Sequence, residues 1–171
     1  DVCSGSSKAN SGISHAGFDA KPGTNKARFN VLGSKMMKDY CEELGVKYKN
    51  NGALVIAFGK EDEKTLEELL ERGKINGVDG LEILDQKRLH EVEPNVSPEA
   101  TAALYAKTSG IVCPYDLTFA CMGNAMDNGA ELKTNFAVEK IDKNGEYYTL
   151  TAQSGESVQA KIVVNCAGAG S

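Results

Sequence analysis

The chain has 171 residues, of which 41% are hydrophobic and 25% charged, and these are ordinary values for a globular protein. Its formal net charge of −5 gives no sign of the basic face that nucleic-acid-binding proteins carry. No apolar run approaches the ~20 residues that a membrane-spanning helix needs, and no secretory signal is visible. We therefore expect one domain or two small ones, located in the cytoplasm, without nucleic-acid or membrane partners.

The five cysteines are odd in number, and no two of them form a CxxC pair. This pattern argues against a zinc site or an iron–sulfur cluster. It also argues against the disulfide framework of a small secreted protein. We expect reduced, mostly buried thiols and no metal site.

Loop and helix patterns open the chain. Residues 1–25 are rich in Ser, Gly, Ala and Asn, which is the composition of loops and turns. Apolar residues then recur at three- and four-residue steps and predict a helix over residues 26–44. The predicted inner face of this helix consists of Phe29, Leu32, Met36, Tyr40 and Leu44. The continuous apolar run at residues 52–58 has the length of a strand covered on both faces.

The middle of the chain alternates helix and strand patterns. A charged helix is predicted over residues 61–72, with an inner face of Leu66, Leu69 and Leu70. Residues 80–84 predict a short strand, and Asp85 is placed to cap the helix that follows. Pro94 ends that helix, and residues 101–107 predict another strand.

The last third of the chain is predicted to contain one helix and a small meander. The helix covers residues 115–128, with an inner face of Leu117, Cys121 and Ala125. Short strands are predicted at residues 131–134, 137–143, 147–153 and 158–166. Turn signals separate the last three of these strands, so residues 137–166 indicate a meander.

Two segments have the composition of ligand-binding sites. The first, residues 4–17, combines small residues with hydroxyls, amides and Lys8, a set that favours a phosphate or another anion. A flexible Ser/Gly loop is the alternative. The second, residues 162–168, is a β-branched run that ends in small residues, as strands do where a ligand lies at their carboxyl ends. A buried strand ending in a turn is the alternative there.

Six segments in order resemble one family. They are residues 10–17, 44–55, 89–95, 110–115, 128–141 and 163–168. In this order they resemble FAD-dependent oxidoreductases of the D-amino-acid-oxidase superfamily, most closely the glycerol-3-phosphate dehydrogenase and L-2-hydroxyglutarate oxidase branches. The resemblance covers nearly the whole chain. It implies an α+β (mixed α/β) fold, with an FAD-binding domain at residues 1–47 and 108–171 and part of a substrate-domain sheet at residues 48–107.

The resemblance also implies a set of site residues. The flavin and its diphosphate would be lined by Ser6, Lys8, Asn10, Ser11 and Gly12. The diphosphate would further approach Ala167 and Gly168, and the adenine side would approach the backbone of Val138. His15 would lie near the isoalloxazine ring as a general base or hydrogen-bond donor, with a structural loop histidine as the alternative.

The family pattern begins with a strand, a GxGxxG turn and a helix, and these do not precede the first matching segment. We therefore expect a fragment of a flavin-dependent dehydrogenase or oxidase that is inactive by itself, binds FAD poorly and self-associates through unpaired sheet edges. The parent would oxidise a small anionic substrate, glycerol-3-phosphate or a 2-hydroxy acid, by hydride transfer to FAD. The alternatives are an amine or amino-acid oxidase of the same superfamily, a cofactor-free scaffold domain and a nucleotide-binding module.

Overall fold

The structure, a computed structural model, describes residues 1–168. It divides into two compact units, one formed by Val2–Asn128 and the other by Asp1 with the residues from Gly129 onward. The predicted fold class is confirmed, because the described chain is a mixture of helices and small antiparallel sheets. The domain boundaries at residues 47 and 107 stay a prediction.

The first unit contains four helices and two antiparallel three-stranded sheets. The helices are α1 (Asn25–Glu43), α2 (Lys60–Asn76), α3 (Gln86–Val92) and α4 (Pro114–Asp127). The strands are β1 (Ile13–Ser14), β2 (Tyr48–Lys49), β3 (Ala53–Ala57), β4 (Leu81–Asp85), β5 (Ala102–Ala106) and β6 (Gly110–Val112). One sheet has the order β1-β6-β2 and the other β3-β5-β4. The predicted helices and strands up to residue 128 are therefore confirmed to within a few residues, whereas β1, β2 and β6 were not predicted.

The core lies on both faces of the β3-β5-β4 sheet. On one face Leu104 packs with Leu66 of α2, and on the other Ala103 packs with Leu89 of α3. Side chains alternate between faces along a strand, so β5 is buried on both sides. β3 contacts both layers as predicted, but it lies at the sheet edge and only Ala57 of it is fully buried. Asp85 caps α3 as predicted, its Oδ1 accepting the Arg88 N–H at 2.8 Å.

The orientation predicted for α1 is wrong. Phe29 is 59% exposed and Met36 63% exposed, and Leu32 and Tyr40 are exposed as well. The helix instead buries Ala27, Val31 and Cys41. Smaller side chains on this side let the helix approach the loop before it, where Val31 packs on Gly17. Periodicity reveals an apolar face, but not which face the rest of the chain covers.

The inner face of α4 is covered in part. Leu117, Cys121 and Ala125 are half-buried, and no residue of the helix is fully buried.

The expectation of mostly buried thiols is wrong. All five cysteines are free, but Cys41 alone is buried, whereas Cys113 and Cys166 are exposed. Within residues 1–168, no helix has the length and apolar character required to cross a bilayer.

The second unit is a three-stranded antiparallel meander of β7 (Val138–Asn144), β8 (Tyr147–Ala152) and β9 (Ser157–Ala160). It confirms the predicted meander. The strand predicted at residues 131–134 is wrong, because this segment is irregular. The strand predicted at residues 158–166 ends at Ala160, and beyond it Ile162 is 78% and Val164 76% exposed. A strand needs a neighbour for its backbone groups, and this segment has none within residues 1–168.

Candidate functional site

Residues 5–12, called here the Asn10 loop, fold around one amide side chain. The Asn10 Nδ2 group donates to the carbonyl oxygens of Ser6 and Ser7, both at 3.0 Å. Its Oδ1 accepts the Gly12 N–H at 2.9 Å. The Gly5 carbonyl accepts the N–H groups of the two residues before Asn10, at 3.1 and 3.3 Å. The loop is thus held by its own short-range bonds.

The side chains that the Asn10 loop presents to solvent are donors. Ser6, Lys8 and Ser11 are exposed, and their side chains have no hydrogen-bond or ion-pair partner in the part of the chain that the structure describes. Hydroxyls and an ammonium group suit the oxygens of a diphosphate or the carbonyl oxygens of a flavin ring. This donor set fits the cofactor that the sequence predicted.

Gly12 is buried against the protein itself. Its φ is +66°, and a Cβ at this position would collide with the carbonyl oxygen of Val112. Its own carbonyl accepts the Val112 N–H at 2.9 Å. The left-handed conformation and the close approach of β6 both require glycine here. Its predicted contact with a cofactor stays a prediction.

His15 follows directly after β1 on the exposed side of the chain. Exposure alternates from Ile13 to Ala16, so Ile13 and His15 lie on one face and Ser14 and Ala16 on the buried one. The imidazole has no hydrogen-bond partner among residues 1–168. It borders a small cavity of about 110 Å³ whose lining includes Asp19, Lys26 and Asn30.

The backbone on both sides of His15 is fixed by the protein. Before it, Ser14 pairs with Gly110 of β6. After it, the Ala16 N–H donates to Ser109 Oγ at 3.1 Å, and this hydroxyl is buried. Further along, Asn76 Nδ2 of α2 donates to the carbonyls of Gly17 and Ala20 at 3.0 and 2.8 Å. The imidazole therefore projects from a well-anchored segment.

An apolar surface lies beside this histidine. Ile13 of β1 and Ile111 of β6 are paired across the sheet and are both exposed. Lys49 of β2 pairs with Ile111 from the other side, so its side chain stands on the same face. Neither Ile13 nor Lys49 is among the site residues predicted from the sequence. The local sequence around each of these residues gives no signal of the shared face, because the face is formed by strands that are distant in sequence.

The remaining predicted site residues belong to the second unit. Val138 is the exposed first residue of β7, where the register with β8 shifts before Lys140. The Ala167 N–H donates to Asn165 Oδ1 at 3.0 Å, and Gly168 has a φ of +64° with open space where a Cβ would stand. The backbone at Gly168 is thus accessible to a ligand. The roles of these three residues stay predictions.

The described chain thus combines small antiparallel sheets with a donor-rich loop and an apolar face beside a histidine. A family model described as FAD dependent oxidoreductase matches residues 1–171, and the chain belongs to this family.

Individual relatives agree with the family. Glycerol 3-phosphate dehydrogenase of Caloramator mitchellensis is 43% identical over 168 residues, which are 98% of this chain and 35% of that protein. Mitochondrial L-2-hydroxyglutarate dehydrogenase of Bos taurus is 33% identical, over 93% of this chain and 36% of its own length. Dithionite-reduced L-alpha-glycerophosphate oxidase from Mycoplasma pneumoniae with FAD bound superposes with a TM-score of 0.78 at 29% identity, covering 86% of this chain and 39% of that one. The chain thus spans less than two fifths of the length of these relatives.

Proposed function

We propose that the protein to which this chain belongs is a flavin-dependent dehydrogenase or oxidase of a small anionic substrate. Glycerol-3-phosphate is the first candidate and a 2-hydroxy acid the second, in the order of identity to the two dehydrogenases above. The observation that carries the proposal is the donor surface of the Asn10 loop beside the apolar pair Ile13 and Ile111. When bound, FAD supplies the hydride acceptor, while the protein supplies position and electrostatics.

In this proposal the Asn10 loop, the pair Ile13 and Ile111, and His15 each have a separate role. The hydroxyls of Ser6 and Ser11 donate to cofactor oxygens, and Lys8 neutralises negative charge near them. Ile13 and Ile111 offer an apolar platform of the kind that flat ring systems bind. His15 would lie beside the ring, where its imidazole would accept the proton of the substrate hydroxyl, with FAD as the acceptor of the hydride.

Three further cofactor contacts that the resemblance implies lie in the second unit. Val138 would approach the adenine side through its backbone, and Ala167 and Gly168 would approach the diphosphate. Residues 1–47 and 108–171 would form the cofactor domain, and residues 48–107 the substrate domain. The exposed Ile162–Val164 segment supports the expectation of self-association, since β-branched residues without a strand neighbour favour pairing with another chain. We propose a cytoplasmic location for the protein.

A titration of the chain with FAD tests the proposal. Backbone amide shifts would be recorded in the free chain and at the highest soluble FAD concentration. We expect shifts at Ser6, Lys8, Ser11, His15 and Ile111, and none in α3. We also expect that desalting removes the flavin, because no GxGxxG turn, which would bind the diphosphate, occurs within these 171 residues.

Two comparisons sharpen this titration. With ADP in place of FAD, the amide signals of Ile111 and His15 should not shift, because ADP lacks the isoalloxazine ring. Lys8→Glu should weaken the FAD response, whereas Lys87→Glu on the exposed surface of α3 should leave it unchanged. Unchanged spectra at all FAD concentrations would contradict the proposed site.

A further inference from the structure

The amide of Asn10 is fully engaged inside its own loop. Both Nδ2 hydrogens are used by the carbonyls of Ser6 and Ser7, and Oδ1 is used by the Gly12 N–H. An amide side chain has two donors and one acceptor group. No donor of Asn10 is therefore left for a cofactor while these bonds persist.

The same bonds determine what the loop shows to a ligand. The carbonyl oxygens of Gly5, Ser6 and Ser7 all accept hydrogen bonds from within the loop. The hydroxyls of Ser6 and Ser11 and the ammonium of Lys8 stay available. An anion is repelled by carbonyl dipoles and attracted by N–H, O–H and ammonium donors. The Asn10 side chain therefore occupies the carbonyl acceptors of Ser6 and Ser7, and the donors that stay available are the side chains of Ser6, Lys8 and Ser11 rather than backbone N–H groups of Lys8, Ala9 and Gly12.

We propose that Asn10 is a positioning residue that converts the loop into a donor surface for an anionic diphosphate, rather than a residue that contacts the cofactor. This inference rests on the proposed function and changes the role that the sequence resemblance gave to Asn10. It follows that the effect of Asn10 on ligand binding is transmitted through the backbone of residues 5–12.

Two substitutions separate the three hydrogen bonds of the Asn10 side chain. Asn10→Asp keeps the oxygen that accepts the Gly12 N–H, but it removes both donors and turns a carboxylate oxygen towards the carbonyls of Ser6 and Ser7. Asn10→Ala removes all three bonds. The matched control is Asn95→Asp, which makes the same charge change at an exposed asparagine whose side chain has no partner within residues 1–168.

The first measurement concerns the loop without any ligand. Amide hydrogen exchange should accelerate roughly tenfold at Lys8 and Ala9 in both Asn10 variants, because the loop opens more often. At Gly12 it should accelerate in Asn10→Ala and much less in Asn10→Asp. Because Asn10 is exposed, the unfolding midpoint should stay within the range of ordinary surface substitutions. Unchanged exchange in both variants would overturn the inference.

The second measurement uses two probes, FAD and inorganic pyrophosphate. In the unaltered chain pyrophosphate should shift the amides of Ser6, Lys8 and Ser11, and both Asn10 variants should lose most of this response while Asn95→Asp keeps it. A response to pyrophosphate without one to FAD would contradict the proposed flavin site and leave the donor surface standing. A loop that responds to neither probe, or one that responds equally in Asn10→Ala, would overturn the inference.

Discussion

The Ala16 N–H donates to the buried hydroxyl of Ser109 at 3.1 Å, and this bond joins the segment that carries His15 to the turn between β5 and β6. Ser109 is 1% exposed. Its carbonyl also accepts the Gly52 N–H at 2.9 Å and Asn50 Nδ2 at 2.6 Å. One residue thus connects three segments that are remote in sequence.

Ser109→Ala should lower the free energy of unfolding by about 1–3 kcal/mol, because it leaves the buried Ala16 N–H without a partner. Urea denaturation followed by circular dichroism measures the change. Ser7→Ala is the control, since its exposed hydroxyl has no partner among the residues that the structure describes. Equal stability of Ser109→Ala and the unaltered chain would show that water replaces the hydroxyl.

Alanine at two helical glycines should have opposite effects on stability. At Gly73 of α2 a Cβ would collide with Leu81 Cδ1 and lie 2.9 Å from Phe18 Cβ, so Gly73→Ala should cost about 1–3 kcal/mol of unfolding free energy. At Gly33 of α1 nothing lies within 4 Å, and Gly33→Ala should stabilise the chain by up to about 1 kcal/mol through helix propensity. Thermal unfolding of both variants tests the contrast, and destabilisation by Gly33→Ala would contradict it.

The contact between Tyr40 and Cys121 should make the free energy of unfolding fall as the pH rises in the alkaline range. The Tyr40 hydroxyl lies 3.3 Å from Cys121 Sγ. This hydrogen bond, followed by the electrostatic effect of Cys121 and by burial, raises the pKa of Tyr40. The pKa of Tyr40 is higher in the folded than in the unfolded chain. The stabilisation that the Tyr40–Cys121 bond provides is therefore complete below the unfolded pKa, and it is lost as the pH rises through the folded pKa. Cys121→Ala should lower the pKa of Tyr40, as read from the ring resonances of Tyr40, with Tyr40→Phe identifying those resonances.

The cysteines should react with iodoacetamide in the order of their exposure and thiolate content. Burial, and secondarily the charge of Cys121, raises the pKa of Cys41, so its thiolate is scarce at neutral pH. We expect Cys113 and Cys166 to be alkylated first and Cys41 last, as read by peptide mass spectrometry over time. Alkylation of Cys41 as fast as Cys113 in the folded chain would contradict the structure around α1.

Local patterns predicted the four helices and the strands β3, β4 and β5 to within a few residues. Asp85 occupies the capping position, and Leu66 and Leu89 fall at helical spacing, so sequence neighbours alone specify these features. The Asn10 bonds are local too, joining residues two to four positions apart, and such bonds are typical of asparagine in turns. The family resemblance nevertheless implies a ligand contact for Asn10, because a resemblance does not show which donors are already used; that contact stays a prediction.

The sequence by itself determined the family, the mixed fold, the four helices, the strands β3, β4 and β5, the meander, and the donor-rich loop near His15. Tertiary structure alone decided that Phe29 and Met36 of α1 face solvent, that Ile13, Ile111 and Lys49 share one face, and that residues 162–166 form no strand within the described chain. The physical reason is that caps and periodicity act within a few residues. Burial and strand pairing depend on which distant segment packs against a residue.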